Sequence, residues 1–230
     1  MNINTTPLKL NSNYILIIAM IYVTASVAAD TVAYKFFAMG PLIESGATLI
    51  FPITYTIGDI ITEVYGYAIA RKIIWFGLSC ELIFAVLLEI IIRLHAPSGF
   101  QYQNEYKDIL NPILWFVLSG IFADVTSSFV NIYIISKFKI FMRGKHFIFR
   151  SIGSTAIAEG VMNIILCTLA FTTFTKFMNV VNIIISAYLL EMFYAVMFVV
   201  PAAILIQVLK RAENMDAYDI NTNYSIFRLD

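Results

Sequence analysis

Charge is scarce in this 230-residue chain: Asp, Glu, Lys and Arg together make up 13% of it, against about 25% in soluble domains. Acids and bases number fifteen each, so the net charge is zero and no excess of one sign offers itself to nucleic acid. Cysteine occurs twice, at Cys80 and Cys167, both within apolar runs. That excludes a disulfide framework and reads as small buried hydrophobes. The two histidines, His95 and His146, fall in connecting segments far apart, so no metal site is expected. No nucleotide-binding loop and no zinc or flavin motif is present, so no cofactor is expected and no ATP hydrolysis by the chain itself. A cleavable signal peptide is not expected either, because the first apolar run is too long for one and no small-residue cleavage site follows it.

Apolar residues are what the chain has in plenty. They make up 60% of it, with a mean hydropathy of +0.82, where soluble domains reach about 45–50%. The apolar runs are long, which excludes a β-barrel of alternating strands and predicts helices that span a bilayer. The expected fold is all-α, a single integral membrane domain over 1–230 with six transmembrane helices at about 13–37, 44–70, 73–94, 111–136, 151–174 and 178–209. The last run is long for a ~30 Å core and must tilt, kink at Pro201 or begin along the interface. Residues 1–12 and 210–230 read as polar tails, and 95–110 as the longest external loop and a candidate lid. Six crossings put both termini on one side. That side carries eleven basic residues (Lys9, Arg71, Lys72, Lys137, Lys139, Arg143, Lys145, Arg150, Lys210, Arg211, Arg228) and the other four (Lys35, Arg93, Lys107, Lys176). The positive-inside rule therefore places both termini in the cytoplasm.

Within this apolar chain one stretch stands out, Phe51 to Trp75, FPITYTIGDIITEVYGYAIARKIIW. Asp59 and Glu63 are four residues apart and share a helix face, with Tyr55 and Gly66 on or beside it. Pro52 precedes them and is expected to open the backbone there. Every predicted span carries an acid: Asp30, Asp59 with Glu63, Glu81 with Glu89, Asp124, Glu159 and Glu191. At ~3 kcal/mol for each charge in hydrocarbon, such a set needs protons, partners or a wet cavity. Gly120, Asp124, Ser127 and Asn131 form a stripe on the fourth helix, and Ser151, Thr155, Glu159 and Asn163 one on the fifth. Glu191 has Tyr188 and Tyr194 at three-residue spacing on the sixth. Carboxylates accept N–H groups from the edge of a planar base, and the aromatics Tyr55, Tyr65, Trp115, Tyr188 and Tyr194 offer stacking faces. The same chemistry suits other planar amides.

The long stretch resembles the signature of the queuosine-precursor transporter (VUT) family: Phe51–Pro52, then Asp59, Glu63, Tyr65–Gly66, Ala70–Arg71 and Trp75. A second block is similar as well, Asn131 followed by a basic loop and then Arg150, Ser154 and Thr155, and FVVPAAILI around Pro201 resembles the closing helix. The likeness spans roughly 25–210. It implies an inner-membrane importer of 7-deazaguanine precursors of queuosine, the cyano or aminomethyl form. It also implies a six-helix topology like that of the substrate-binding subunits of vitamin uptake systems. Substrate contacts are expected at Asp59, Glu63, Tyr55, Asp124, Asn131, Glu159, Asn163 and Glu191, with Arg71 and Arg150 at the cytoplasmic end as pairing or gating residues. The family pattern has Gln then Asp where this chain has Glu159 and Asn163, an exchange of acid and amide by one turn. Expected partners are a small planar nucleobase-like solute and the lipid bilayer, with a homo-oligomer or an energising ATPase module left open. Two other readings are an intramembrane aspartyl hydrolase using Asp59 and Asp124, and a channel. The first lacks a Gly-x-Gly-Asp context, and the second lacks pore-lining repeats.

Overall fold

The computed structural model describes residues 13–40, 42–172 and 177–228. The expected tail at 1–12, Pro41, and the end of the fifth predicted helix with Lys176 lie outside the described residues. Six helices form: α1 (Asn13–Val32), α2 (Phe51–Tyr65), α3 (Tyr67–Ile92), α4 (Gln103–Phe141), α5 (Phe147–Phe171) and α6 (Phe177–Ala212). All but α2 are long and apolar enough to cross a membrane. These five turn large apolar side chains outward, among them Met20, Ile83, Phe122, Phe149 and Phe193. Exposed apolar surface of that extent matches hydrocarbon as solvent, and the molecule is a multi-pass membrane bundle.

The short helix α2 is different. Its fifteen residues reach only ~22 Å, less than a ~30 Å core. Instead it is wrapped: α1, α3, α4 and α6 all pack on it, and residues from Phe51 to Tyr65 are buried on nearly every side. A helix so enclosed need not be apolar all round, which is why it can carry Asp59 and Glu63. Pro52 does not open the backbone. It occupies the first turn of α2, where a missing N–H leaves no hydrogen bond unmade.

The first two predicted helices are shorter than expected because a hairpin lies between them. Strands β1 (Phe36–Met39) and β2 (Leu42–Ser45) pair antiparallel, Phe36 opposite Ser45 and Met39 opposite Leu42. Gly40 turns the chain at φ +63°, a left-handed conformation that glycine adopts without strain. A single 3₁₀ turn, Gly46–Leu49, follows, capped by the Ser45 hydroxyl accepting from the Ala47 N–H. The hairpin packs against α6 through β2.

The boundary between the second and third predicted helices moves from Arg71–Lys72 to Gly66. There the backbone takes φ +88°, ψ 169°, a region essentially closed to residues with a Cβ. Arg71 and Lys72 therefore lie on α3. Helix α4 starts at Gln103, so the second half of the expected 95–110 loop is helical, and it continues past the expected end at 136 to Phe141, with Pro112 inside it. Helix α6 runs unbroken through Pro201. Beyond it, residues 213–228 fold back over the bundle. Tyr224 and Ile226 pack on the same apolar cluster as Ile15 of α1, Tyr67 of α3 and Leu209 of α6.

Candidate functional site

The polar stripes read from the sequence do turn inward. Ser151, Thr155, Glu159 and Asn163 on α5 are all buried, as are Ser127 and Asn131 on α4. They meet the acid face of α2. Asn131 donates from Nδ2 to Asp59 Oδ1 at 2.6 Å, and the Ser151 hydroxyl donates to Asp59 Oδ2. Three helices thus meet at one carboxylate. One turn earlier on α2, the Tyr55 hydroxyl donates to Ser127 Oγ at 2.7 Å.

A second group lies toward the hairpin. Asn163 donates to Glu191 of α6, and the Glu159 and Glu191 carboxyls are neighbours. No donor among the described residues meets either Glu159 oxygen, nor does one meet Asn131 Oδ1. Sequence reasoning overlooked Glu44 on β2, which is buried at 1% exposure. Neither of its carboxylate oxygens meets a donor among the described residues. Its one sequence signal was an acid set in an otherwise apolar run.

Asp124 lies close enough to interact electrostatically with Glu81 of α3 and Asp30 of α1, and with Tyr55 and Glu159 of the polar interior. Glu81 and Glu89 do not act together, because Glu89 pairs with Arg93 one turn on. Among the candidate aromatics, Tyr55 is buried and Trp115 faces outward at 47% exposure. Tyr188 packs over Gly160 of α5, and Tyr194 stacks on Phe198.

Glu63 sits in different company from Asp59. Arg150 Nη1 reaches its Oε2 at 2.8 Å and Lys210 Nζ its Oε1 at 2.8 Å, with Lys139 Nζ at 3.6 Å. Lys139 and Lys210 also bind Asp216, at 2.6 and 2.8 Å. Burial alone would raise Asp216, but the two lysines outweigh it and hold the carboxyl below its usual range. Lys139 and Lys210 entered the sequence reading only as topology charges, since nothing in their spacing marks a pair from α4 and α6 that closes on α2. Arg71, the other expected end residue, donates from Nη1 to the carbonyls of Asn223 and Ser225 at 3.0 and 2.6 Å.

Two small cavities lie in the polar interior. One, of about 20 Å³, is lined by Tyr22, Thr54, Tyr55, Gly58, Ser128 and Asn131 among others. The other, also about 20 Å³, lies between Phe51, Phe116, Asn163, Phe171 and Glu191. Each has room for about one water. A small-molecule pocket is typically roughly 300–1,000 Å³, so in this conformation the helices are closed around the polar interior.

Against this geometry the chain can be compared with known proteins. A family model described as "Putative vitamin uptake transporter" matches residues 45–206, well over half of the chain. The chain belongs to that family. The matched stretch runs from the end of the hairpin through most of α6. It includes Asp59, Glu63, Asn131, Glu159, Asn163 and Glu191, and leaves out α1 and the returning tail. A relative from Bacillus subtilis (strain 168), named "Probable queuosine precursor transporter", is 26% identical over 134 residues. That alignment covers 58% of this chain and 58% of the relative's length. No solved structure matches. The family is one of transporters and not of enzymes, which removes the aspartyl-hydrolase reading.

Proposed function

We propose that this member of the family imports a planar, purine-like base of the 7-deazaguanine type, a queuosine precursor, across the inner membrane into the cytoplasm. One observation carries the reading. The buried interior holds acceptors that no described donor meets, Glu159 Oε1 and Oε2 and Asn131 Oδ1. An unmet buried polar group costs about 1–3 kcal/mol, so a protein that keeps such groups gains from a ligand that supplies the N–H groups. The amide and amino edge of a guanine-like base is rich in N–H donors, and its faces suit the buried aromatic rings of Tyr55 and Phe51 on α2. The name of the Bacillus subtilis relative supports the same class.

In this reading Asp59, Asn131, Glu159, Asn163 and Glu191 hold the base edge, and Tyr55 stacks on it. Asp124 lines the approach from the side of α1 and α3. Glu63, with Arg150 and Lys210, is a closure at the end where the basic residues gather. By the positive-inside rule that end is cytoplasmic, with both termini on the same side. Helix α2 is the sixth crossing, completed to membrane thickness by the 3₁₀ turn and the hairpin. The direct test is salvage. The chain is expressed in cells that cannot make 7-cyano-7-deazaguanine and lack their own importer, and queuosine in tRNA is measured after feeding the base. The wild-type chain restores queuosine, and Asp59→Ala does not although it reaches the membrane. Restoration by Asp59→Ala would refute the site, and no restoration by the wild-type chain would refute the substrate class.

A further inference from the structure

The segment after α6 does work that a polar tail does not need to do. Residues 213–228 return to the break between α2 and α3 and supply what that break lacks. When a helix stops, its last carbonyls and the first amides of the next one are left without partners. At Gly66 the tail meets both. The Ala217 N–H donates to the Val64 carbonyl at 3.1 Å, satisfying the end of α2. The Asp219 carboxylate accepts the Tyr67 N–H at 3.0 and 3.2 Å and so caps the start of α3. Asp219 also accepts the Ser136 hydroxyl of α4 at 2.6 Å.

From there the strap runs along α3. The Arg71 guanidinium holds two of its carbonyls, and Trp75 Nε1 donates to the Ile226 carbonyl at 2.7 Å. Lys139 Nζ donates to the Ala217 carbonyl at 2.6 Å as well as to Asp216. Lys137 lies 4.0 Å above the Tyr224 ring, a cation–π contact. The contact at Gly66 is close: a Cβ there would lie 3.1 Å from both Ala217 Cβ and Asp219 Oδ1. The tail fits the break only because residue 66 has no side chain.

We infer that residues 213–228 form a cytoplasmic gate: docked on the Gly66 break, they clamp α2 shut against α3 and α4, and release of cargo requires them to lift. Helix α2 carries Asp59 and Glu63 one to two turns from the break, and Glu63 is tied through Lys139 and Lys210 to Asp216 of the tail. With the strap docked, neither side of the break can swing without losing these bonds. With it lifted, the Gly66 backbone is free to hinge and the acid face of α2 opens toward the basic end. The gate lies wholly beyond the matched residues 45–206. It rests on the transport reading and on its orientation, and the test separates the two.

The test locks the strap. In a chain with Cys80→Ser and Cys167→Ala, Ser136→Cys and Tyr224→Cys are introduced, positions whose hydroxyls meet at 2.9 Å and whose exchange leaves Gly66, Ala217 and Asp219 untouched; a short, reducible bis-methanethiosulfonate bridges the space of the tyrosine ring. In proteoliposomes, uptake of 7-cyano-7-deazaguanine falls to below about a tenth once the bridge forms and returns on reduction. Ser136→Cys alone shows no response to linker and reductant, and the base still raises the melting temperature of the locked protein. Full uptake by a chain whose crosslink is confirmed by mass would overturn the gate. If the unmodified parent carries none of the base, the substrate reading fails, and amide exchange decides the gate without cargo. Asp219→Ala then raises exchange across residues 64–70 by about tenfold or more and leaves the centre of α5 unchanged. Unchanged exchange at 64–70 would overturn it.

Discussion

Removing Glu63 should damage this protein more than removing any one of its partners. Its carboxylate is 1% exposed and faces Arg150 and Lys210 at 2.8 Å and Lys139 at 3.6 Å. Glu63→Gln keeps the shape and removes the charge, leaving three cations with Asp216 as the one acid among them. Taking one member from a buried ion pair costs about 3–5 kcal/mol, because the partner stays buried and uncompensated. Arg150→Met has the opposite consequence. It removes a cation that is fully buried and leaves Glu63 with two lysines, so the charge remains balanced. Its cost is closer to that of one charged hydrogen bond, about 1.5–3 kcal/mol. The double variant Glu63→Gln/Arg150→Met takes away one charge of each sign and should recover about 1–3 kcal/mol relative to the sum of the single variants. Thermal unfolding in one detergent at one pH reads all four corners of the cycle. For a chain of this length about 1 kcal/mol corresponds to roughly 2–4 °C, so Glu63→Gln should melt about 6–20 °C below wild type. If Arg150→Met melts as low as Glu63→Gln, or the double variant lower than additivity requires, Glu63 is not the hub of the cluster.

Three further outcomes are expected. Gly66→Ala should lower stability by about 1–3 kcal/mol, since alanine is strained at φ +88° and its methyl presses on the tail; melting of this variant beside Gly58→Ala, where a Cβ meets nothing within 4 Å, checks it. Glu159→Gln should leave the melting temperature unchanged or raise it, because the carboxyl has no donor to lose, yet it should abolish uptake; a large loss of stability would show Glu159 to be structural. The third concerns acid. Asp216 has its carboxyl lowered in the folded protein, so the stability it adds is complete above the ordinary carboxylate range of about 4 and disappears as pH falls through its lower folded value. The amide protection factors of residues 213–220, the intrinsic exchange rate at each pH divided by the observed rate, should therefore be flat from about pH 8 to pH 5 and should fall only below about pH 4, and Asp216→Asn should remove that acid-dependent fall.

Much of the site could be read from spacing. Asp59 with Glu63, and the stripe from Ser151 to Asn163, follow helical periodicity, and a helix in a tight bundle has only one way to hide a polar face. Their grouping could not be read that way. Asp59 and Glu63 share a face, but Asp59 meets two neutral donors while Glu63 meets cations from α4, α5 and α6. That difference depends on where other helices end, and chain spacing does not record it. The Gly66 break was equally hidden. Arg71 and Lys72 are strong topological signals and drew the boundary toward themselves, whereas one glycine in an apolar run shows its conformation only once something is packed against it.

The sequence by itself determined that this chain is a helical membrane protein with acids in its interior. Those properties follow from composition and from 3.6-residue periodicity, which act locally and need no partner. The tertiary structure decided which acids are paired, which are left without donors, and where α2 stops. Above all it decided the place of the tail. Asp216, Ala217 and Asp219 are ordinary solvated residues in a polar C-terminal stretch until the chain folds back on itself. Only then do the free backbone groups at Gly66, and the lysines of α4 and α6, become their partners.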